Sequence, residues 1–140
     1  MALTLQQAIT VAQSTLDKGR DAGYKPLTVA VLDSGGVVRV LLRDDGSSLL
    51  RPDIAIGKAW GSLGMGISSR AIADLAADRP QFAASLAALA GGRVVPAAGG
   101  VLIRDADGHL IGAVGVSGDV SDNDEVCAVH GVEAAGFQPG

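Results

Sequence analysis

The chain has 140 residues, of which 48% are hydrophobic and 19% charged, and its formal net charge is −4. This composition excludes a disordered chain and predicts one compact domain over residues 1–140. The sequence has no basic run and only 3% aromatic residues, so it gives little support for binding to nucleic acid or to an anionic membrane surface.

The first residues lack the basic and apolar regions of a secretory signal. No apolar run reaches the roughly 18 residues of a membrane-spanning helix. The single cysteine, Cys127, excludes an internal disulfide and a cysteine cluster for zinc or iron–sulfur. We therefore expect a cytoplasmic protein.

The first predicted element is an amphipathic helix that begins after Thr4. Thr4 and the glutamine three residues later have capping-box spacing, and Gly19 and Gly23 are expected to end the helix. Two apolar runs follow, at 27–33 and 37–42, with a Ser-Gly-Gly turn between them. They predict a hairpin at the centre of the sheet.

A polar loop over residues 43–52 leads into a helix predicted from Asp53 to about Ile67. Its other side is also apolar and carries Gly57 and Gly61, four residues apart, so we expect a second subunit or a ligand cleft to cover that side. The core-facing stripe has helical spacing and consists of Ile56, Ala59, Trp60, Leu63 and Ile67.

Two short alanine-rich helices are predicted next. The first is capped by Ser68 or Ser69 and runs through Ala77, and the second is opened by Pro80. Residues 93–96 are expected to form a short edge strand.

A glycine-rich hairpin follows, with strands at 101–103 and 110–116 around Asp107-Gly108. Glycine weakens strand interiors, so the glycines here indicate that a helix or a ligand lies closely against the hairpin, the helix being the favoured interpretation. A last helix is predicted from near Asp122 to about Ala135, with Asp122 and Glu125 at capping-box spacing. The element order predicts an α+β fold in which helices pack on an antiparallel sheet.

Lys58 is the first candidate for chemistry, because no other charge lies between Asp53 and Arg70. A buried ammonium needs an acidic partner or an anionic ligand, and Asp124 or Glu125 can be that partner. The alternative is a lysine whose ammonium reaches solvent along an apolar surface.

Three acids, Asp122, Asp124 and Glu125, crowd the first turn of the last helix, where the helix dipole alone explains them. They can also supply a general base or oxygen ligands for a divalent metal, although their spacing fits no calcium loop and no metal site is assigned. The backbone N–H groups of Gly99 and Gly100 can hold a carboxylate or phosphate, but the sequence has no nucleotide-binding glycine motif.

His109 and His130 can ligate iron or move protons, although a core or solvated position is the commoner role for each. They have no recognisable metal spacing. Arg43 and Arg51 flank the polar loop and can bind a carboxylate in a forked geometry, or can simply be solvated.

Four ordered motifs carry a family resemblance: VAVLDSGGVVRVLLRDDG, DIAIGKAW, PAAGGVLIRDADGHLIGAVGVSG and DNDEVCAVHG. Together they resemble the GlcG/HbpS family, also known as haem-degrading-domain or DUF336 proteins, over nearly the whole chain. The resemblance implies an α/β domain with a five-stranded antiparallel sheet, profilin-like in layout, that commonly forms oligomers. Members include haem-binding proteins, glycolate-operon proteins and the C-terminal part of PduO-type cobalamin adenosyltransferases.

The family's recurring polar residues fall on positions that the sequence had already marked. Some haem-binding relatives use a histidine in the first helix, whereas this chain has none there. His130 is a second departure, because many relatives carry a small residue at that position. The matching positions are Arg43, Asp45, Lys58, Asp124 and Glu125, with glycine motifs at Gly99-Gly100 and Gly115–Gly118.

Two functional hypotheses follow from the sequence, with a non-catalytic homo-oligomeric assembly module as a third and weaker one. The first is a small-ligand-binding protein for haem or a related tetrapyrrole. The second is a lyase, hydrolase or isomerase acting on an anionic organic acid in a catabolic pathway. In that enzyme Lys58 and one or more of Arg43 and Arg51 would hold the carboxylate, with Asp124 and Glu125 at the rim of the site. Glu125 or His130 would transfer the proton, and the N–H groups of Gly99 and Gly100 would stabilise an oxyanion.

Overall fold

The structure is a computed structural model that describes residues 2–140. Over this range the chain forms five helices and five strands. None of the helices within residues 2–140 combines the length and apolar character needed to cross a membrane. In chain order the elements are α1 (Leu5–Asp21), β1 (Thr28–Asp33), β2 (Val38–Arg43), α2 (Arg51–Met65), α3 (Ser69–Asp78), α4 (Pro80–Leu89), β3 (Gly100–Arg104), β4 (Leu110–Ser117), α5 (Ser121–Ala134) and β5 (Gln138–Pro139).

The strands form one antiparallel sheet in the order β2-β1-β4-β3-β5, which confirms the predicted α+β fold. The hairpin of β1 and β2 is confirmed, but its predicted place at the centre of the sheet was wrong for β2. That strand is an edge strand, and each of its residues is exposed or half-buried. The middle strand is β4, in which every residue after Leu110 is buried.

Local signals placed most helix boundaries correctly. Thr4 forms the predicted capping box with Gln7, and Ser68 caps α3 by accepting a hydrogen bond from the Ala71 N–H. Pro80 is the first residue of α4. These boundaries were predictable because caps and proline act on backbone groups within one helical turn.

Two local predictions were wrong. Residues 93–96 form no strand, and the edge beside β3 is taken instead by β5. The capping box of Asp122 and Glu125 is absent, because α5 begins one residue earlier with Val120 as an N-cap that makes no side-chain bond. The carboxylate of Asp119 accepts the Val120 N–H at 2.8 Å and so stabilises the start of the helix from outside it.

The sheet separates two core layers. On one face α1 and α5 pack against the larger apolar side chains of the inner strands, including Val29, Val31, Val114 and Val116. On the other face α2 packs against the small residues Ala30 and Ala113 and, farther along the strands, against Leu32 and Leu102.

Close approach of α2 explains the glycines of the second hairpin. In the register of the sheet, Gly115 lies between Ala30 and Gly100, so a row of very small residues runs beneath the helix. A Cβ atom on Gly115 would lie 1.9 Å from the carbonyl oxygen of Ala55, and one on Gly100 would lie 2.3 Å from the carbonyl oxygen of Lys58. The favoured interpretation, a closely packed helix, is thus confirmed.

Residues 94 and 95 of the same chain cover part of the second side of α2. A Cβ atom on Gly57 would lie 2.6 Å from Val95, and one on Gly61 would lie 3.0 Å from Val94. The close approach at these glycines thus needs no second subunit, and Gly57 also lines a cleft, which was the other expectation for this side of α2. The contacts of Val94 and Val95 also explain why residues 93–96 form no strand, because these valines pack against a helix rather than pairing with β3.

Candidate functional site

Lys58 and Asp124 form a buried ion pair at the end of β4. The Lys58 Nζ donates to the Val116 carbonyl oxygen at 2.8 Å and to Asp124 Oδ2 at 3.1 Å, and the two side chains are 3% and 1% exposed. Asp124 Oδ1 accepts the N–H of Asp119 at 3.0 Å. The pair therefore connects α2 on one face of the sheet with α5 on the other face, and the bond to Val116 ties both helices to β4 between them.

Burial changes the acid–base properties of this pair. Desolvation lowers the pKa of Lys58 and raises the pKa of Asp124, while the attraction between the two charges opposes both changes. An ion pair so placed stabilises little by itself, but removing one partner leaves the other charge buried and unpaired. Of the two partners that the sequence proposed for Lys58, Asp124 is the one in contact.

The Gly99-Gly100 pair accommodates the Lys58 side chain. A Cβ atom on Gly99, whose φ is +126°, would lie 3.0 Å from the Lys58 Nζ. The N–H of Gly100 donates to the Ser69 Oγ at 2.6 Å. The Gly100 N–H is therefore already bonded in this structure, contrary to its expected role in binding a carboxylate or oxyanion.

Arg43 and Arg51 hold the polar loop in place. Arg43 donates to the carbonyl oxygen of Ser47. Arg51, which lies inside α2 rather than before it, donates to the Ser48 Oγ at 3.2 Å and to the Ser117 Oγ at 3.1 Å. Both guanidinium groups thus make contacts within the chain that a carboxylate ligand would have to share or replace.

Glu125 lies apart from Lys58 and pairs with Arg70. The Nε of Arg70 lies 2.9 and 3.0 Å from the two carboxylate oxygens of Glu125, and Arg70 also pairs with Asp122. These acids hold the pKa of Arg70 above its ordinary value. The sequence did not identify Arg70 as a partner, because 55 residues separate it from Glu125.

The two histidines lie in different surroundings. The His109 side chain is 70% exposed in the β3–β4 loop, with Nδ1 3.4 Å from Asp105 Oδ2. Ligand atoms of Asp105, Asp107 and His109 lie within 4.8 Å of one another. Asp105 Oδ1 already accepts the N–H groups of Asp107 and His109, however, so the hairpin turn itself explains this cluster.

His130 is exposed on α5 and lines a shallow depression of about 470 Å³ between α5 and α1. Lys18 from α1 lies in the same depression, and the sequence gave no sign of this neighbour. The structure therefore groups Lys58, Asp124, Gly99 and Gly100 at the end of β4. It places Glu125 with Arg70, and His130 in a separate depression lined by Lys18, Val126, Val129, His130, Glu133 and Ala134.

Cys127 is buried, and its burial raises the pKa of the thiol to about 11. A thiol is nucleophilic only as the thiolate, so we expect this cysteine to react slowly at neutral pH.

Two aspartates that accept backbone N–H groups are expected to make stability fall in acid. Hydrogen bonds from His109 N–H to Asp105 and from Lys25 N–H to Asp119 hold the pKa of each carboxyl below its ordinary value of 3.8. Their stabilisation is complete above that unfolded-state pKa and is lost as pH falls through the lower folded-state pKa. In urea unfolding at a series of pH values, Asp105→Asn and Asp119→Asn should each flatten this acid dependence, whereas the exposed control Asp78→Asn should not. An unchanged slope in both variants would contradict the assignment.

Comparison with known proteins identifies a family and several structural relatives. The model of the family described as "Haem degrading protein HbpS-like" matches residues 3–133. A crystal structure of an HbpS double mutant from Streptomyces reticuli has 28% identity and a TM-score of 0.83, covering 95% of this chain and 86% of that chain. Klebsiella pneumoniae protein ORFY, assigned to DUF336, has 25% identity and a TM-score of 0.85, covering 95% and 90%.

A further relative shares the fold. The crystal structure of the PduOC:haem complex has 24% identity and a TM-score of 0.88, and the match covers 98% of this chain and 97% of that chain. No curated protein sequence matches the chain.

Proposed function

This chain belongs to the HbpS-like family, and from that premise we propose that it binds haem or a related tetrapyrrole, with His130 as the residue that would hold the haem iron. The observation that carries the proposal is the exposed imidazole of His130 in a depression that also holds Lys18. Bound haem would supply iron chemistry. The protein's part is to hold the group and orient it.

The donor set of the depression fits a haem. Histidine is the commonest protein ligand of haem iron, and exposed Val126 beside it offers an apolar surface for the macrocycle. The ammonium of Lys18 is available for a propionate. His109 fits less well, because it projects from a polar hairpin turn beside Asp105.

The position of His130 is also relevant to the absence from α1 of the histidine that some haem-binding relatives use. The helices α1 and α5 pack against each other, and the depression lies where Lys18 of α1 meets α5. A histidine on α5 can therefore present its imidazole to the same side of the sheet as one on α1. An imidazole carried by either helix would offer the iron the same kind of nitrogen ligand.

Titration with hemin tests this proposal through the Soret band. The wild-type protein should give a saturable shift at micromolar concentration, and His130→Ala should abolish it or weaken binding by about tenfold or more, since loss of about 1.4 kcal/mol is a factor of ten. His109→Ala is the matched control and should bind like wild type. An unchanged shift in His130→Ala would exclude axial ligation by this residue.

Organic-acid chemistry that uses Lys58, Glu125 and His130 stays a prediction. These three residues lie in separate environments, and Lys58 is buried against Asp124. A cytoplasmic location likewise remains our proposal.

We further propose a homo-oligomer in which α4 packs against a second copy of the chain. No residue of α4 is buried, and its sequence, PQFAASLAAL, carries no charge. Leu89 at its end is 86% exposed. An uncharged helix with no buried face is typical of an interface.

The assembly is tested by light scattering. Leu89→Glu should lower the molecular mass of the assembly, because it places a charge in the proposed interface. Leu49→Glu is the control at a leucine that is 88% exposed in the polar loop. A monomeric wild type, or the same mass for wild type and Leu89→Glu, would contradict the α4 interface.

A further inference from the structure

A second cleft, of about 490 Å³, lies on the α2 side of the sheet, opposite the His130 depression. It opens between the first half of α2, the β1–β2 turn at Gly36 and the segment from Gly91 to Val95. Its apolar lining comes from Ile54, Ile56, Trp60 and Val95. Neither the family assignment nor the haem proposal uses this cleft.

Arg93 supplies a cation that the protein itself does not neutralise. Its guanidinium carbon lies 3.8 Å from the centroid of the Trp60 ring, and its Nε donates to the carbonyl oxygen of Ala90 at 2.9 Å. Among residues 2–140, Arg93 makes no ion pair and no other side-chain hydrogen bond. The stack and the Nε bond fix the guanidinium plane and leave its terminal nitrogens available to a ligand.

Asp53 supplies the opposite charge. It lines the same cleft from the first turn of α2, is exposed, and enters no ion pair within residues 2–140. The cleft thus presents one cation, one anion and an apolar lining. A ligand with a single charge would meet one favourable group and one unfavourable group, whereas a ligand with both charges can satisfy both.

The mouth of the cleft is open, and the helix that carries Asp53 and Trp60 is anchored. Gly36, Gly91 and Gly92 all have positive φ, at +80°, +66° and +78°, so their turns place no side chain in the mouth. The helix beneath is anchored to β4 and α5 by Lys58 and Asp124. Asp53 and Trp60 are therefore held in position before a ligand binds, which lowers the entropy that these two groups lose on binding.

We propose that this cleft binds a small zwitterion with an apolar side chain, the chemical class of the aliphatic and aromatic α-amino acids. The carboxylate is held by the terminal nitrogens of Arg93, and the ammonium is held by Asp53. The side chain lies against the apolar lining beside Trp60. The volume is that of an ordinary small-molecule site.

Ligand binding to the cleft can be measured by tryptophan fluorescence, because Trp60 lines the cleft and is the only tryptophan in the chain. L-phenylalanine should change the fluorescence of the haem-free protein saturably. The two analogues with one charge each, phenethylamine and 3-phenylpropionate, should bind about tenfold or more weakly, since each lacks a charge-assisted bond. Absence of a saturable change at about 10 mM phenylalanine, where a complex with a Kd near 1 mM would be mostly formed, would overturn the proposal.

Substitutions at Arg93 and Asp53 test the contributions of the two charges separately. Arg93→Gln should weaken phenylalanine binding about tenfold or more and reduce the preference over phenethylamine, and Asp53→Asn should reduce the preference over 3-phenylpropionate. Because Arg93→Gln alters the surroundings of Trp60, its affinity is measured by calorimetry as well. The controls are Arg79→Gln, where the arginine stacks on Phe82 instead, and the exposed Asp74→Asn; both should bind like wild type. Equal binding by all three compounds, or wild-type affinity in both cleft variants, would overturn the assignment.

Discussion

Replacement of Lys58 by methionine is expected to destabilise the protein by roughly 3–5 kcal/mol, because it leaves the carboxylate of Asp124 buried without its cation. Methionine retains the length of the apolar stem, so the loss reports the charge rather than a cavity. The measurement is urea unfolding followed by circular dichroism. The control is Lys25→Met at an exposed lysine, which should change the free energy of unfolding by about 0.5 kcal/mol or less.

The double variant Lys58→Met, Asp124→Asn separates this mechanism from a simple packing defect. Asparagine removes the orphaned charge but keeps an oxygen that can accept the Asp119 N–H. The double variant should therefore be more stable than Lys58→Met alone by about 1 kcal/mol or more. If it is less stable than the single variant, the unpaired charge is not the cause.

The pH dependence of the free energy of unfolding of Lys58→Met provides a second test of the unpaired Asp124 charge. Burial already raises the pKa of Asp124, and loss of the lysine removes the attraction that opposes this rise. A carboxyl with a raised folded-state pKa contributes stability that is present below its unfolded pKa and is lost as pH rises through the folded pKa. The deficit of Lys58→Met relative to wild type should thus shrink as pH is lowered toward the unfolded pKa of 3.8. A deficit that grows in acid would contradict a buried Asp124 carboxylate.

Gly115→Ala is expected to be the second strongly destabilising change, at about 3 kcal/mol. The new methyl group would lie 1.9 Å from the carbonyl oxygen of Ala55 and 3.0 Å from the N of Ala59. Both contacts are backbone, so relief requires α2 to move away from the sheet. Such a movement would also disturb the Lys58 hydrogen bonds that begin on the same helix.

Gly64→Ala is the matched control for Gly115→Ala. Gly64 lies inside α2, and no atom outside its neighbouring backbone lies within 4 Å of the position of an added Cβ. Alanine should therefore stabilise this helix by roughly 0.5–1 kcal/mol. Opposite signs for the two variants in thermal unfolding would support close packing of α2 on the sheet, whereas a neutral Gly115→Ala would contradict it.

The sequence located the glycine-rich hairpin and favoured a helix packed against it. It did not identify which side of α2 packs against the glycines of that hairpin. The predicted stripe contained Ala59, which is buried, and Trp60, which is half-buried beside a cleft. The more deeply buried side also carries Lys58. A hydropathy scale treats lysine as an exposed residue. The periodicity of hydrophobic residues therefore does not reveal a buried helix face that consists of small residues around one ion pair.

Partner choice between distant residues was the least predictable part of the site. Lys58 had two candidate acids adjacent in sequence, and only the turn of α5 decides that Asp124 faces inward while Glu125 reaches Arg70. The grouping of Arg93 with Asp53 around Trp60 had no signal in the sequence, because the arginine comes from a loop after two glycines. Such groupings depend on packing across many residues, which no local pattern encodes.

The sequence by itself determined the class of fold, most helix boundaries, the two hairpins and the family, because caps, turns and hydrophobic periodicity act over a few residues. Only the tertiary structure decided the edge position of β2, the burial of the Lys58–Asp124 pair, and the separation of His130 from that pair. These properties depend on which surfaces exclude water once the two helix layers close on the sheet. Burial then determines which charged groups are paired inside the protein and which remain available to a ligand.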